Sequence, residues 1–219
     1  MDLSSLPFRT NTLHAAYADG LPVAAVVSEA HRRLAVVADP GIFLDLTPLV
    51  TLIDEAAALP PFDPARYPLW GIPVAVKDNI AVAGRPMTAA CPAFTHIPAE
   101  DAIAVARLRA AGALVLGKTN LDQFATGLVG VRTPYPVPRN TADPTRVPGG
   151  SSSGSAVAVA HGIVTAAFGT DTAGSGRVPA ALNGIVGLKP SVGAVSSRGM
   201  LAACRTLDTS QTASARSSS

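Results

Sequence analysis

The chain has 219 residues, of which 48% are hydrophobic and 15% charged, with a formal net charge of +2. That is enough for one domain with a sizeable core, or at most two small ones, and it excludes both a disulfide-stapled miniprotein and a disordered chain. No run of Lys or Arg points to nucleic acid or an anionic membrane, so a small molecule is the expected partner.

The longest nearly apolar stretch, Ala156 to Phe168, is broken by His161 and Gly162 and falls short of the roughly 20 residues a bilayer span needs. Met1 to Asn11 carries no basic segment followed by an apolar one, so a cytoplasmic location is expected. Cys91 and Cys204 then read as buried free thiols rather than a disulfide or a metal site.

In chain order, residues 1–60 read as a helical region. Thr12 to Ala18 and Val23 to Ala38 space their apolar residues at three and four, and Pro48 to Leu59 forms a third helix with proline at its start. The run Pro60-Pro61-Phe62-Asp63-Pro64 ends the helices, because proline lacks a donor and clashes with the preceding turn. The apolar, β-branched run Ile72 to Val76 predicts a buried strand that places Lys77 at its end. Asp101 to Ala111 predicts a helix stopped by Gly112, and Ala113 to Leu116 the next strand. Residues 130–150 lack periodicity and read as a long ordered loop. A helix over Ser152 to His161, a strand over Ile163 to Gly169 and a short helix over Pro179 to Asn183 follow. Residues 61–208 thus form an α/β unit, a sheet covered by helices, and the Ser-rich residues 209–219 are expected to be disordered.

Two motifs fail on context. Gly112 to Thr119 spells a phosphate-binding loop, G-x-x-x-x-G-K-[ST], but its middle residues Ala-Leu-Val-Leu belong in a sheet and a helix precedes it. Gly150 to Gly154 spells a nucleophile elbow, G-x-S-x-G, yet no strand precedes it. After Ser152 the sole histidine is His161, with no acid between. His14, His31 and His96 stand alone, without metal-ligand spacing, and no cofactor is expected.

Three segments remain: Lys77 at a strand end, the cluster Gly149-Gly150-Ser151-Ser152-Ser153-Gly154-Ser155 opening a helix, and the loop Gly169 to Arg177. The serine cluster has the composition of a flexible linker, but apolar helix and strand patterns follow it at once. A serine nucleophile without a usable histidine needs another base, and a lysine kept neutral by burial can supply it. In the glycine-containing loop, consecutive N–H groups of Thr172, Ala173, Gly174 and Ser175 can converge on a developing oxyanion. These segments point to acyl transfer. Asp171 and Arg177, flanking the loop, are expected to pair and brace it.

The segments Gly71 to Asn79, Pro148 to Ala156, Gly169 to Ala180 and Gly187 to Pro190 resemble the amidase signature family. The resemblance implies that family's fold, a mixed central sheet covered by helices, and its Ser-cisSer-Lys triad. Motif matching puts the lysine at Lys77, the bridging cis-serine at Ser151 and the nucleophile at Ser175. Within the family, Thr88 to Phe94, Asn120 to Gly130 and Pro179 to Asn183 are most similar to the allophanate hydrolases, which act on urea-1-carboxylate and release ammonia and carbon dioxide. This implies a small amide substrate, for which Gly127 is the expected backbone contact. It leaves room for a homodimer in full-length enzymes and for a functional link to urea carboxylase. A broad amidase, or the glutamine-hydrolysing component of a tRNA amidotransferase, carries similar text. The family's domain is longer than this chain and continues beyond Asp208 with apolar text. The C-terminal half of the domain is therefore expected to be missing, which leaves an inactive fragment as a further reading.

Overall fold

A computed structural model describes residues 2–215. Helices α1 (Thr10–Ala18) and α2 (Val23–Val37) lead into strand β1 (Phe43–Leu46) and helix α3 (Leu49–Ala57). Then come β2 (Pro73–Lys77), α4 (Ile103–Ala110), β3 (Leu114–Thr119), α5 (Ser153–Ala160) and β4 (Ala166–Asp171). The last elements are α6 (Arg177–Leu182), β5 (Val186–Leu188) and β6 (Thr209–Ser214).

The six strands form one mixed sheet in the order β1-β3-β2-β4-β6-β5. Strands β3, β2 and β4 run parallel, and the other pairings are antiparallel. Strands β2 and β3 are buried along their whole length, as inner parallel strands covered on both faces must be, which is why they read as apolar runs. Helix α5 packs on β2, β3, β4 and β6, and α2 and α3 pack on each other and on β2 and β3 respectively. On α2, Val23, Val26, Val27 and Ala30 turn inward, the three- and four-residue spacing of one helical face. The segment 112–119 is strand β3 and its approach, with Leu114 to Thr119 buried, so it forms no phosphate cradle.

The expected helical region 1–60 contains a strand. Residues 43–46 pair antiparallel with β3 and form the sheet edge, so this part of the region belongs to the sheet. The strand escapes the sequence pattern because it is four residues long and half-buried throughout.

The larger correction concerns the Ser-rich end. Residues 209–214, expected to be disordered, form β6 between β4 and β5, and all six residues are in register with β4 from Asp171↔Thr209 to Ala166↔Ser214. Backbone N–H and C=O groups build a ladder whatever the side chains, so a composition of Thr, Ser and Gln does not preclude it. The disorder expected for residues 216–219 lies outside the described residues.

The polar composition leaves a mark at Gln211. Its side chain is 1% exposed, lies against the backbone of Gly169 and Gly176, and neither amide atom has a hydrogen-bond partner among the described residues. An unpaired buried polar group costs about 1–3 kcal/mol. Gln211→Met keeps the shape and removes both orphaned atoms, so it is expected to stabilise the chain by that amount. For a chain of this size each kcal/mol raises Tm by about 2–4 °C. A Tm at or below wild type in thermal unfolding refutes this.

Candidate active site

Strand β2 ends on Lys77, whose side chain is fully buried. Its Nζ donates to Ser151 Oγ at 2.7 Å and to Thr170 Oγ1 at 2.9 Å. The parallel β2–β4 pairing, with Val76 opposite Phe168, brings the end of β4 and its Thr170 to the lysine. Asn79 donates to the same Thr170 hydroxyl at 3.2 Å and to the Leu201 carbonyl at 2.9 Å. Burial pushes the Lys77 ammonium down to about 7, against the opposing pull of Asp122, Asp208 and Asp171. Desolvation disfavours the charged form, and carboxylates at a distance only partly restore it.

Ser151 sits just ahead of α5, after a cis Gly150–Ser151 peptide. Gly150 has no room for a side chain, since a Cβ there would meet Asp122 Oδ2 and the Gly130 backbone. At Gly154 a Cβ would run into the Ile42 carbonyl and the Asn120 backbone. The glycines of the serine cluster therefore allow close backbone approach and are not a linker's. The Ser152 N–H donates to the Ser175 carbonyl at 3.0 Å, which holds Ser175 beside the cluster. Ser175 is 3% exposed. Lys77 and Ser151 are thus in direct contact and Ser175 adjoins them; no hydrogen bond joins the two serine hydroxyls among the described residues.

The loop after β4 is organised by Asp171. Its carboxylate accepts from the Gly174 N–H at 2.8 Å and from the Gly176 and Arg177 N–H groups, each at 3.1 Å. Arg177 adds a two-pronged contact through Nε and Nη2, each at 3.0 Å. The expected Asp171–Arg177 pair is therefore formed. Burial raises the Asp171 pKa, but the Arg177 guanidinium and the three N–H donors outweigh it and hold the carboxyl well below the usual carboxylate range. The same contacts correct one expectation. The Gly174 N–H, expected at an oxyanion, is already committed to Asp171, whereas those of Thr172, Ala173 and Ser175 have no partner among the described residues.

Ser175, Thr172 and Ala173 line a cavity of about 220 Å³ together with Gly127, Leu128 and Cys204. Gly127 thus lies on the cavity wall. Residues missed in the sequence are Thr170, which completes the Lys77 contacts, and Cys204, which walls the cavity. Both cysteines are unpaired and half-buried rather than fully buried. The Thr206 side chain and backbone, with a smaller backbone contribution at Leu207, lower the Cys204 thiol's pKa against burial and the Asp208 charge. No group of three or more His, Cys, Asp or Glu among the described residues is placed to hold a metal ion. No helix among them is long and apolar enough to cross a membrane.

The family model described as Amidase matches residues 50–214. The urea amidolyase of Saccharomyces cerevisiae is 60% identical over 141 residues, which is 64% of this chain but 8% of that protein. A glutamyl-tRNA(Gln) amidotransferase component from Thermus thermophilus is 45% identical over 183 residues, 83% of this chain and 38% of that protein. Among solved structures, the allophanate hydrolase of Kluyveromyces lactis superposes with a TM-score of 0.85 at 42% identity over 95% of this chain and 35% of that one. The peptide amidase of Stenotrophomonas maltophilia gives 0.83 at 36% identity over 94% of this chain and 45% of that one. The chain therefore spans less than half the length of each of these proteins.

Proposed function

Because the chain belongs to the amidase family, we propose that Lys77, Ser151 and Ser175 act as a Ser-cisSer-Lys triad on a small amide, with allophanate the substrate. The observation that carries the reading is the 2.7 Å contact between a fully buried Lys77 Nζ and Ser151 Oγ, with the lysine pKa brought to about 7. An amine neutral at working pH accepts a proton, and a general base is effective when its pKa lies near that pH.

Ser175 Oγ attacks the amide carbon and passes its proton to Ser151, whose own proton moves to Lys77. The N–H groups of Thr172, Ala173 and Ser175 hold the oxyanion. The C–N bond breaks as the leaving nitrogen takes a proton from Ser151, which Lys77 replenishes, and ammonia departs. Water then attacks the acyl carbon, giving its proton to the same relay, which returns one to Ser175 Oγ as the acyl–oxygen bond breaks. The small cavity with Gly127 on its wall favours a compact substrate over an aryl amide, and the allophanate hydrolase and urea amidolyase relatives favour allophanate itself.

Two measurements test this. Ammonia release from allophanate and malonamate is expected, with benzamide inert; fast benzamide turnover with malonamate inert overturns the substrate. A fluorophosphonate is expected to label Ser175 by peptide mapping, and labelling that survives Ser175→Ala overturns the nucleophile.

A further inference from the structure

Lys77 is followed at the end of β2 by Asp78, which the relay does not use. Asp78 and Lys118 are each 1% exposed, and Lys118 Nζ meets Asp78 Oδ1 at 2.8 Å. Burial lowers the Lys118 pKa, and Asp78 opposes the shift. A buried pair of this kind is not by itself a source of stability, since desolvation can exceed its attraction. What it does structurally is hold Thr88. Asp78 Oδ2 accepts from the Thr88 N–H at 2.8 Å and from its hydroxyl at 2.5 Å, and the same hydroxyl accepts from the Ala90 N–H at 3.0 Å.

The held segment has an unusual backbone. Ala89 and Ala90 have φ of +50° and +56°, a left-handed conformation that non-glycine residues adopt when their surroundings impose it. Their carbonyls then meet residues 123 and 124, just ahead of the cavity wall. Ala89 O accepts from the Phe124 N–H at 2.9 Å, and Ala90 O from Gln123 Nε2 at 3.2 Å. Phe124 and Ala125 are themselves left-handed, with φ of +53° and +57°. Ala125 itself, with Thr126, Gly127 and Leu128, lines the cavity together with Thr172, Ala173 and Ser175. Hydrogen bonds therefore run from Lys118 through Asp78 to Thr88, and from the adjoining Ala89-Ala90 to Gln123 and Phe124, the two residues just ahead of the cavity wall, without passing through Ser151 or Ser175.

We propose that the Lys118–Asp78–Thr88 cluster is a positioning clasp that fixes the 125–128 wall against which the substrate rests. That the cavity holds a substrate rests on the function proposed above; the mechanical link does not. Lys77 and Asp78 thus divide two tasks at one strand end, Lys77 serving the relay and Asp78 the wall.

The test compares the full chain with Thr88→Val, which keeps the shape and loses the hydroxyl, and Thr88→Ser, which restores it. Hydrogen exchange followed by mass spectrometry is expected to show amides of residues 122–130 exchanging about tenfold faster in Thr88→Val, the factor that one buried hydrogen bond is worth. Peptides covering α5 and β4 should keep the wild-type rate, and Thr88→Ser should return 122–130 to it. Gln123→Ala, at an exposed position, should accelerate the same peptide by a smaller factor. With a small fluorophosphonate, the half-saturating concentration for Ser175 labelling should move more than the saturating rate. Unchanged exchange over 122–130, or equal acceleration throughout the chain, overturns the clasp. Absent labelling in wild type overturns the proposed nucleophile and leaves the exchange result to decide the clasp alone.

Discussion

Lys77→Met is expected to slow acylation of Ser175 by about 10²–10⁴, the range that loss of a positioned general base covers. Methionine matches the length and apolar stem of a side chain that is fully buried, so the fold loses a base and little packing. In the wild type, acylation should climb as pH rises through about 7, where burial has set the lysine, because the neutral amine accepts the proton. Below that point the reactive fraction falls tenfold per pH unit, and in Lys77→Met this dependence should vanish. The depressed pKa also bears on stability. The unfolded chain binds a proton at this lysine up to its ordinary value of 10.5 and the folded chain only to about 7, so stability should rise with pH between the two. Fluorophosphonate labelling against pH measures the first effect and urea unfolding the second. A Lys77→Met variant labelling at the wild-type rate, or a flat wild-type profile across neutral pH, removes Lys77 from the relay.

How much of the site is legible in the sequence follows from the kind of interaction. β2 and β3 announce themselves because inner parallel strands must be apolar on both faces, and Lys77 and Ser175 because their motifs are local in sequence. Thr170 cannot be read as the lysine's second partner, since it reaches Lys77 only through the β2–β4 pairing. β6 is hidden because composition reports side-chain burial, whereas this strand is held by its backbone ladder to β4. The direction of the Gly174 N–H is equally hidden. That glycine has φ of +135°, and which way its peptide turns is decided by the Asp171 carboxylate rather than by the letters around it.

That carboxylate sets the second large effect. Asp171→Ala is expected to destabilise the chain by about 3 kcal/mol or more, because it orphans three backbone donors at about 1–3 kcal/mol each. Those donors are the Gly174, Gly176 and Arg177 N–H groups, and Asp171 is fully buried where it meets them. Arg177→Ala makes the contrast. The guanidinium is 51% exposed, so its loss removes a solvent-screened pair worth about 1 kcal/mol or less and leaves the three N–H groups satisfied. The acid limb separates the two further. The Asp171 pKa is lowered on folding, so its contribution is complete above the unfolded carboxyl value and is lost as pH falls below it. Asp171→Ala should therefore flatten the loss of stability in acid, while Arg177→Ala should retain much of it. Because the same three N–H groups set the path of residues 172–175, Asp171→Ala should also slow Ser175 labelling in the fraction that remains folded. Urea unfolding of both variants across acid pH decides the matter: if Arg177→Ala costs as much as Asp171→Ala, the ion pair and not the backbone cradle holds the loop of residues 172–176.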